Sequence, residues 1–274
     1  MSMDPIVQLS GKYKEELTTT FDGLRQRSTA SIAAAQEQLK QQAEQLKQSS
    51  EKATALAGSL QDLSTVEIPT AKVLETFGWL TVTETAKFVF SFLASYMLSP
   101  LLAMCFDGFS AGLLAYIIVP AFLYRQLSGT EGEPDHHFYL LAGAAGEGLL
   151  LGYIVSERYL PAPQPLAFLT PMLIAVVTQL GADKFPSRAA WLGATLGAGV
   201  GAHIFLGLIT GFSFAGFVLS LLYAALGFAT LQLLIKDTAS PAWKYQLMYT
   251  VGAILAHGLV FGIFGGEAFA PSEE

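Results

Sequence analysis

Glu147 stands where apolar side chains surround it on both sides. The stretch 140–159, LLAGAAGEGLLLGYIVSERY, is almost wholly apolar, and Gly146 and Gly148 flank the acid. His203 and His257 occupy runs of the same kind. A carboxylate inside a span-length apolar run is costly to bury, and it marks a candidate functional site by default. An imidazole beside it could trade a proton with it near neutral pH. Counted along its run, Glu147 lies about nine residues deep, roughly 14 Å at 1.5 Å per residue; each histidine lies about fourteen deep, roughly 21 Å. Glu147, His203 and His257 are therefore the candidate ion or proton site. The plainer reading makes Glu147 a register pin, hydrogen-bonded to a Thr, Tyr or His of a neighbouring helix. It makes the two histidines satisfied core residues.

Other chemistry is thin. His136 and His137 sit beside Glu131, Glu133 and Asp135, a group that reads as a solvated acidic loop. Arg125 and Arg158 close apolar runs and read as interface anchors. Cys105 is the single cysteine, which excludes an internal disulfide and a cysteine-based zinc site. No phosphate-binding loop, nucleophile elbow, HExxH helix or catalytic carboxylate pair is present. The expectation is a protein that is not an enzyme, with no cofactor and no resident metal. A net charge of −7 without a basic cluster argues against nucleic acid as a partner.

The elements that must carry these residues are written in composition. Of 274 residues, 52% are hydrophobic and 14% charged. Residues 1–69 hold seven Lys/Arg and nine Asp/Glu, whereas 88–235 is mostly long apolar runs. This predicts an all-α integral membrane protein: a seven-transmembrane-helix bundle behind a long polar N-terminal helix. The expected spans are 86–104, 108–126, 138–159, 164–182, 189–210, 213–235 and 243–264, each near the roughly 20 residues that cross a bilayer core. Pro100, Pro120 and Pro171 fall inside spans and should kink them. Lys72, Lys87, Arg125, Lys184, Arg188, Lys236 and Lys244 fall on one side of these spans and Arg158 on the other. That bias predicts a cytoplasmic N-terminus, and an odd span count puts the C-terminus across the membrane. Gly193, Gly197 and Gly201 form a doubled GxxxG, and Gly148/Gly152 and Gly258/Gly262 repeat it. Such spacing lets helix backbones approach closely in lipid.

Residues 12–63 read as one helix, nearly free of Gly and Pro between 24 and 57. Its stripe runs Leu17, Ser28, Leu39, Ser50, an eleven-residue advance that suits a straight helix or a right-handed supercoil. It could lie solvated, on a membrane, or against a protein partner. The resulting division is a cytoplasmic helical region over 1–70, a connector over 71–85, the bundle over 86–265 and an acidic tail over 266–274. No secretory signal is visible at the start.

The stretches LTVTETAKFVFSFLASYML, HFYLLAGAAGEGLLLGYIVSE and LGFATLQLLIKDTA resemble the first, third and sixth spans of the transmembrane Bax inhibitor motif family. The resemblance covers roughly 78–265 and matches Glu157 to the acid ending that family's third span. It implies a seven-helix protein of an intracellular membrane, the endoplasmic reticulum first, with a mitochondrial or other organelle membrane as the alternative. It implies a role in calcium or proton permeability and cell survival. The family's sixth-span Asp falls here at Thr230 or Gln232, and 245–264 holds no carboxylate. The paired-aspartate sensor is therefore not carried over. The competing expectation is a non-conducting structural or interaction subunit that holds a protein partner through 12–63.

Overall fold

The computed structural model describes residues 67–129, 136–156, 158–159 and 164–267, with 44, 51, 54, 58, 60, 61 and 63 as single positions. The chain divides into two compact units, Met1–Gly58 and Ser59–Glu274. Most of the helix expected over 12–63, the acid Glu157 and the tail beyond 267 lie outside the described residues. The described positions 44, 51, 54, 58, 60 and 61 are helical.

Among the described residues, the regular structure of the second unit is helical apart from a two-residue antiparallel pairing, β1 (Arg158–Tyr159) with β2 (Gly266–Glu267). Its helices are α1 (Thr70–Ala103), α2 (Gly108–Gly129), α3 (His136–Ser156), α4 (Leu169–Gly181), α5 (Arg188–Thr210), α6 (Phe214–Lys236) and α7 (Ala242–Phe264). All except α4 are long and apolar enough to cross a membrane.

Local chemistry sets the helix boundaries. Asp107 caps α2 through a reciprocal pair: its side chain accepts from the Ser110 amide at 2.7 Å, and Ser110 Oγ accepts from the Asp107 amide. Those Ser110 bonds hold the exposed Asp107 carboxyl below its ordinary range. Ser187 and Ser213 cap α5 and α6 more simply, each hydroxyl accepting from the amide three residues on, that of Ala190 or Gly216. Between α5 and α6 the chain reverses at Gly211, whose φ of 123° suits glycine. Pro100 and Pro120 each follow a π-helical turn, 94–98 in α1 and 114–118 in α2. The wider turn accommodates a ring that lacks an N–H and would press on the carbonyl four residues back. Pro171 was expected inside a span but occupies the first turn of α4, where the missing N–H leaves no intrahelical bond unmade.

The sequence expectation of a connector at 71–85 and a first span from 86 is corrected. Residues 71–85 are helical, and α1 is 34 residues long. The fourth span, expected at 164–182, is corrected too. Here α4 is 13 residues, about 20 Å of helix, and the chain before it at 164–166 is not helical.

Long-range contacts fix how the segments alternate. Lys72 Nζ donates to the Thr238 and Ser240 carbonyls, joining the start of α1 to the α6–α7 connection. The His136 and Trp243 rings, 6.1 Å apart, place the starts of α3 and α7 at that same end. Arg188 Nη2 donates to Gln232 Oε1, adding the start of α5. At the opposite end, β1 and β2 tie the close of α3 to the close of α7. Segment 164–181 therefore runs back from the second end to the first, so the described residues traverse the unit seven times although six of their helices have spanning length.

The core is shared around α1. Val73, Phe77 and Leu80 of α1 pack with Ile174, Trp191, Leu219, Leu231 and Tyr249 of α4 to α7. Outward faces carry large exposed apolar side chains, among them Tyr96, Met97, Leu101, Phe109, Phe205 and Leu208. Such a distribution suits a bundle surrounded by lipid.

Candidate functional site

The tightest seam in the unit joins α1 to α3, and glycines make it. A Cβ built on Gly148 would lie 2.4 Å from the Lys87 carbonyl oxygen. One built on Gly152 would lie 2.2 Å from the Ser91 carbonyl oxygen. Hydrogen bonds continue the same four-residue ladder. Ser95 Oγ donates to the Gly152 carbonyl at 2.8 Å, and Ser99 Oγ meets Ser156 Oγ at 2.8 Å. Positions rise together along both helices, so α1 and α3 run parallel.

Glu147 sits inside this seam with no exposed surface. Neither carboxylate oxygen has a hydrogen-bond partner. The charges within its electrostatic reach are Lys87 and Glu84, both on α1. Lys87 Nζ lies 2.5 Å from Glu84 Oε2, and both side chains are buried. Neither residue was singled out from the sequence. Lys87 was counted as an end-of-span lysine, and that count is corrected: it lies well inside α1. The available signal was an acid and a base at i and i+3 within TVTETAKFVF, which an i,i+3 pair on one helix face explains.

The two histidines do not join Glu147. His203 Nε2 donates to the Leu166 carbonyl at 3.0 Å, and His257 Nε2 donates to Gln164 Oε1 at 2.6 Å. Both therefore hold the non-helical stretch ahead of α4. Backbone that leaves the helix at this depth needs partners from the protein; His203 supplies one to the Leu166 carbonyl, and His257 holds the Gln164 side chain. The register-pin partners expected for Glu147, a Thr, Tyr or His, are likewise not bonded to it. A cavity of about 160 Å³ lies beside the stretch, lined by Gln164, Leu166, His203, Phe212, Phe217 and Ser220. Replacing His203 with alanine is expected to loosen 164–168 at a cost of about 1–3 kcal/mol, since a part-buried carbonyl loses its donor. Faster hydrogen exchange confined to that stretch would show it; unchanged exchange there would remove the assigned role.

The remaining glycines divide. Gly258 packs against Tyr116, whose hydroxyl oxygen lies 2.5 Å from a built Cβ. Gly193, Gly197, Gly201 and Gly262 have no such neighbour within 4 Å. At the first end, Lys72 also lies 5.9 Å from the Tyr245 ring, and Tyr245 Oη donates to the Asp237 carbonyl at 2.6 Å. Asp237 accepts from the Ser240 hydroxyl and amide, and these bonds, with the Lys72 charge, hold its carboxyl below the ordinary range. Among the described residues no group of three His, Cys, Asp or Glu side chains is arranged to hold a metal ion.

This arrangement presents a glycine-sealed helix pair with a charged interior, and a broken fourth segment pinned by two imidazoles. The expected Bax-inhibitor identity is overturned by comparison with known families: the family model that matches is described as "Interactor of ZYG-11" and aligns with residues 2–267. The inferred calcium or proton permeability and the cell-survival role rested on that resemblance and fall with it. No curated protein and no solved structure matches the chain. With a single family model running through the polar N-terminal region and every helix of the bundle, the chain belongs to the Interactor of ZYG-11 family.

Proposed function

We propose that this chain is a multi-pass helical membrane protein whose task is to engage a ZYG-11-type protein partner, not to catalyse a reaction. One observation carries the reading: the family match runs through residues 2–267 and so includes the polar N-terminal region. That region has the composition for partner binding. Its recurrent Leu and Ser positions in a Gln-, Glu- and Lys-rich sequence suit a soluble contact with a partner. The second unit contributes the membrane anchor, with six helices of spanning length and an apolar exterior.

The test uses purified ZYG-11 protein and the full-length chain in detergent or nanodiscs. Full-length protein is expected to bind, and a chain lacking residues 1–58 is expected to lose binding while its bundle remains folded. The cut respects the boundary between the two compact units. It also leaves Leu60, whose carbonyl accepts from Gln232 Nε2 at 2.7 Å. Binding that survives the truncation would move the contact to the bundle. No binding by either form would end the reading.

The proposed orientation in the membrane has the N-terminus cytoplasmic. Six basic residues remain on the first side after Lys87 is withdrawn from the count: Lys72, Arg125, Lys184, Arg188, Lys236 and Lys244. Seven traversals then put the C-terminus on the other side. Epitope tags at the two ends should differ in protease accessibility in sealed microsomes; equal accessibility would overturn the orientation.

A further inference from the structure

Two carboxylates and one ammonium are buried together where α1 meets α3. We propose that Glu84, Lys87 and Glu147 form a one-proton site, a buried triad that takes up and releases a single exchangeable proton.

Charge counting carries the proposal. Glu84 and Glu147 have no exposed surface and Lys87 is 7% exposed. Lys87 and Glu84 form an ion pair at 2.5 Å and cancel. Glu147 has no donor on either oxygen. With all three ionised the triad holds one uncompensated negative charge, which a protein interior tolerates poorly. One added unit of positive charge makes it neutral.

A proton meets that need better than a metal ion. Hard cations take several oxygen ligands. Here the second carboxylate is engaged by Lys87, and the ammonium itself would repel a metal placed between the acids. Gly148 further brings the Lys87 backbone against α3, which leaves little room for a coordination shell. The other titratable groups around the triad do not supply the charge. On α7, His257 spends its Nε2–H on Gln164, and Tyr249 lies within reach of Glu84. Tyr223 on α6 is also within reach of Glu84. On α2, Tyr116 packs against Gly258. The proton rests on Glu147, the acid without a cationic partner, and exchanges when the α1–α3 seam opens.

Infrared spectroscopy of the full-length protein in lipid nanodiscs tests this. It reads the carbonyl stretch of a protonated carboxylic acid, which shifts in heavy water. Wild type at neutral pH is expected to show one such buried band. Glu147→Gln should remove it. Glu84→Gln should remove it too, because Lys87 then balances Glu147 without a proton. Lys87→Gln should raise the band about twofold, since two acids are left without an ammonium. A Glu147 that is neutral for reasons local to itself would keep its band in Glu84→Gln, and that outcome sinks the triad. So would a wild type with no band, or a band removed by sodium, potassium or calcium at constant pH. Should a variant fail to fold, wild type decides alone: loss of the band on alkaline titration must follow a one-proton curve, and a two-proton curve or no titration overturns the proposal.

Discussion

Replacing Gly152 with alanine is expected to destabilise the bundle by more than about 3 kcal/mol, or to leave too little folded protein to measure. The added methyl carbon would stand 2.2 Å from the Ser91 carbonyl oxygen and 2.8 Å from its Cα. Both obstacles are backbone, so no rotamer change relieves them. The helices must separate instead. Separation gives up the Ser95–Gly152 bond and the Ser99–Ser156 contact as well. Overpacking typically costs about 1–3 kcal/mol when side chains can yield, and here they cannot. The gain in helix propensity on leaving glycine, about 1 kcal/mol, offsets part of this. Gly197→Ala is the matched control. It carries the same GxxxG spacing, yet nothing lies within 4 Å of its built Cβ. Its effect on the isolated chain is expected to stay within about 1 kcal/mol, on the stabilising side if the propensity gain is realised. Thermal or denaturant unfolding in one detergent compares the two directly. Equal effects would mean that α1 and α3 do not meet as described.

Lys87→Met is expected to cost about 3–5 kcal/mol, the usual consequence of removing one partner from a buried ion pair. Glu84 then loses the cation it contacts, and Glu147 loses a nearby positive charge. The penalty comes mostly from what is left behind. Accordingly, Glu84→Gln combined with Lys87→Met is expected to be milder than Lys87→Met alone, because an uncharged pair has nothing to leave unpaired. A double variant as unstable as the sum of its parts would show that Lys87 acts through packing of its aliphatic stem.

The long helices could be read from apolar run length alone, and Glu147 from its isolation in such a run. What the sequence reading missed has specific causes. The first span was measured back about 20 residues from Met104, which left Lys87 at an end; α1 is longer than a bilayer needs, so Lys87 falls inside it. The fourth segment is as apolar as its neighbours, and composition does not separate extended from helical backbone in a short run. GxxxG spacing predicts that a helix can be approached closely but not from which side. Gly148 and Gly152 face α1, while Gly193, Gly197 and Gly201 face away from the unit. The Bax-inhibitor resemblance drew on Gly- and Leu-rich span composition, which bundles of unrelated families share.

The broken fourth segment has a consequence for biogenesis. A helix of 13 residues behind non-helical backbone has too little apolar length to settle in a bilayer unaided. Its two imidazole donors come from later in the chain, His203 on α5 and His257 on α7. During synthesis, segment 164–181 therefore emerges before either donor exists. It can complete its bonding only after the last helix has left the ribosome and turned back into the bundle. Maturation of the membrane unit should thus end with a single late docking step, and chains stopped before His257 should remain open at Gln164 however many earlier helices have been inserted.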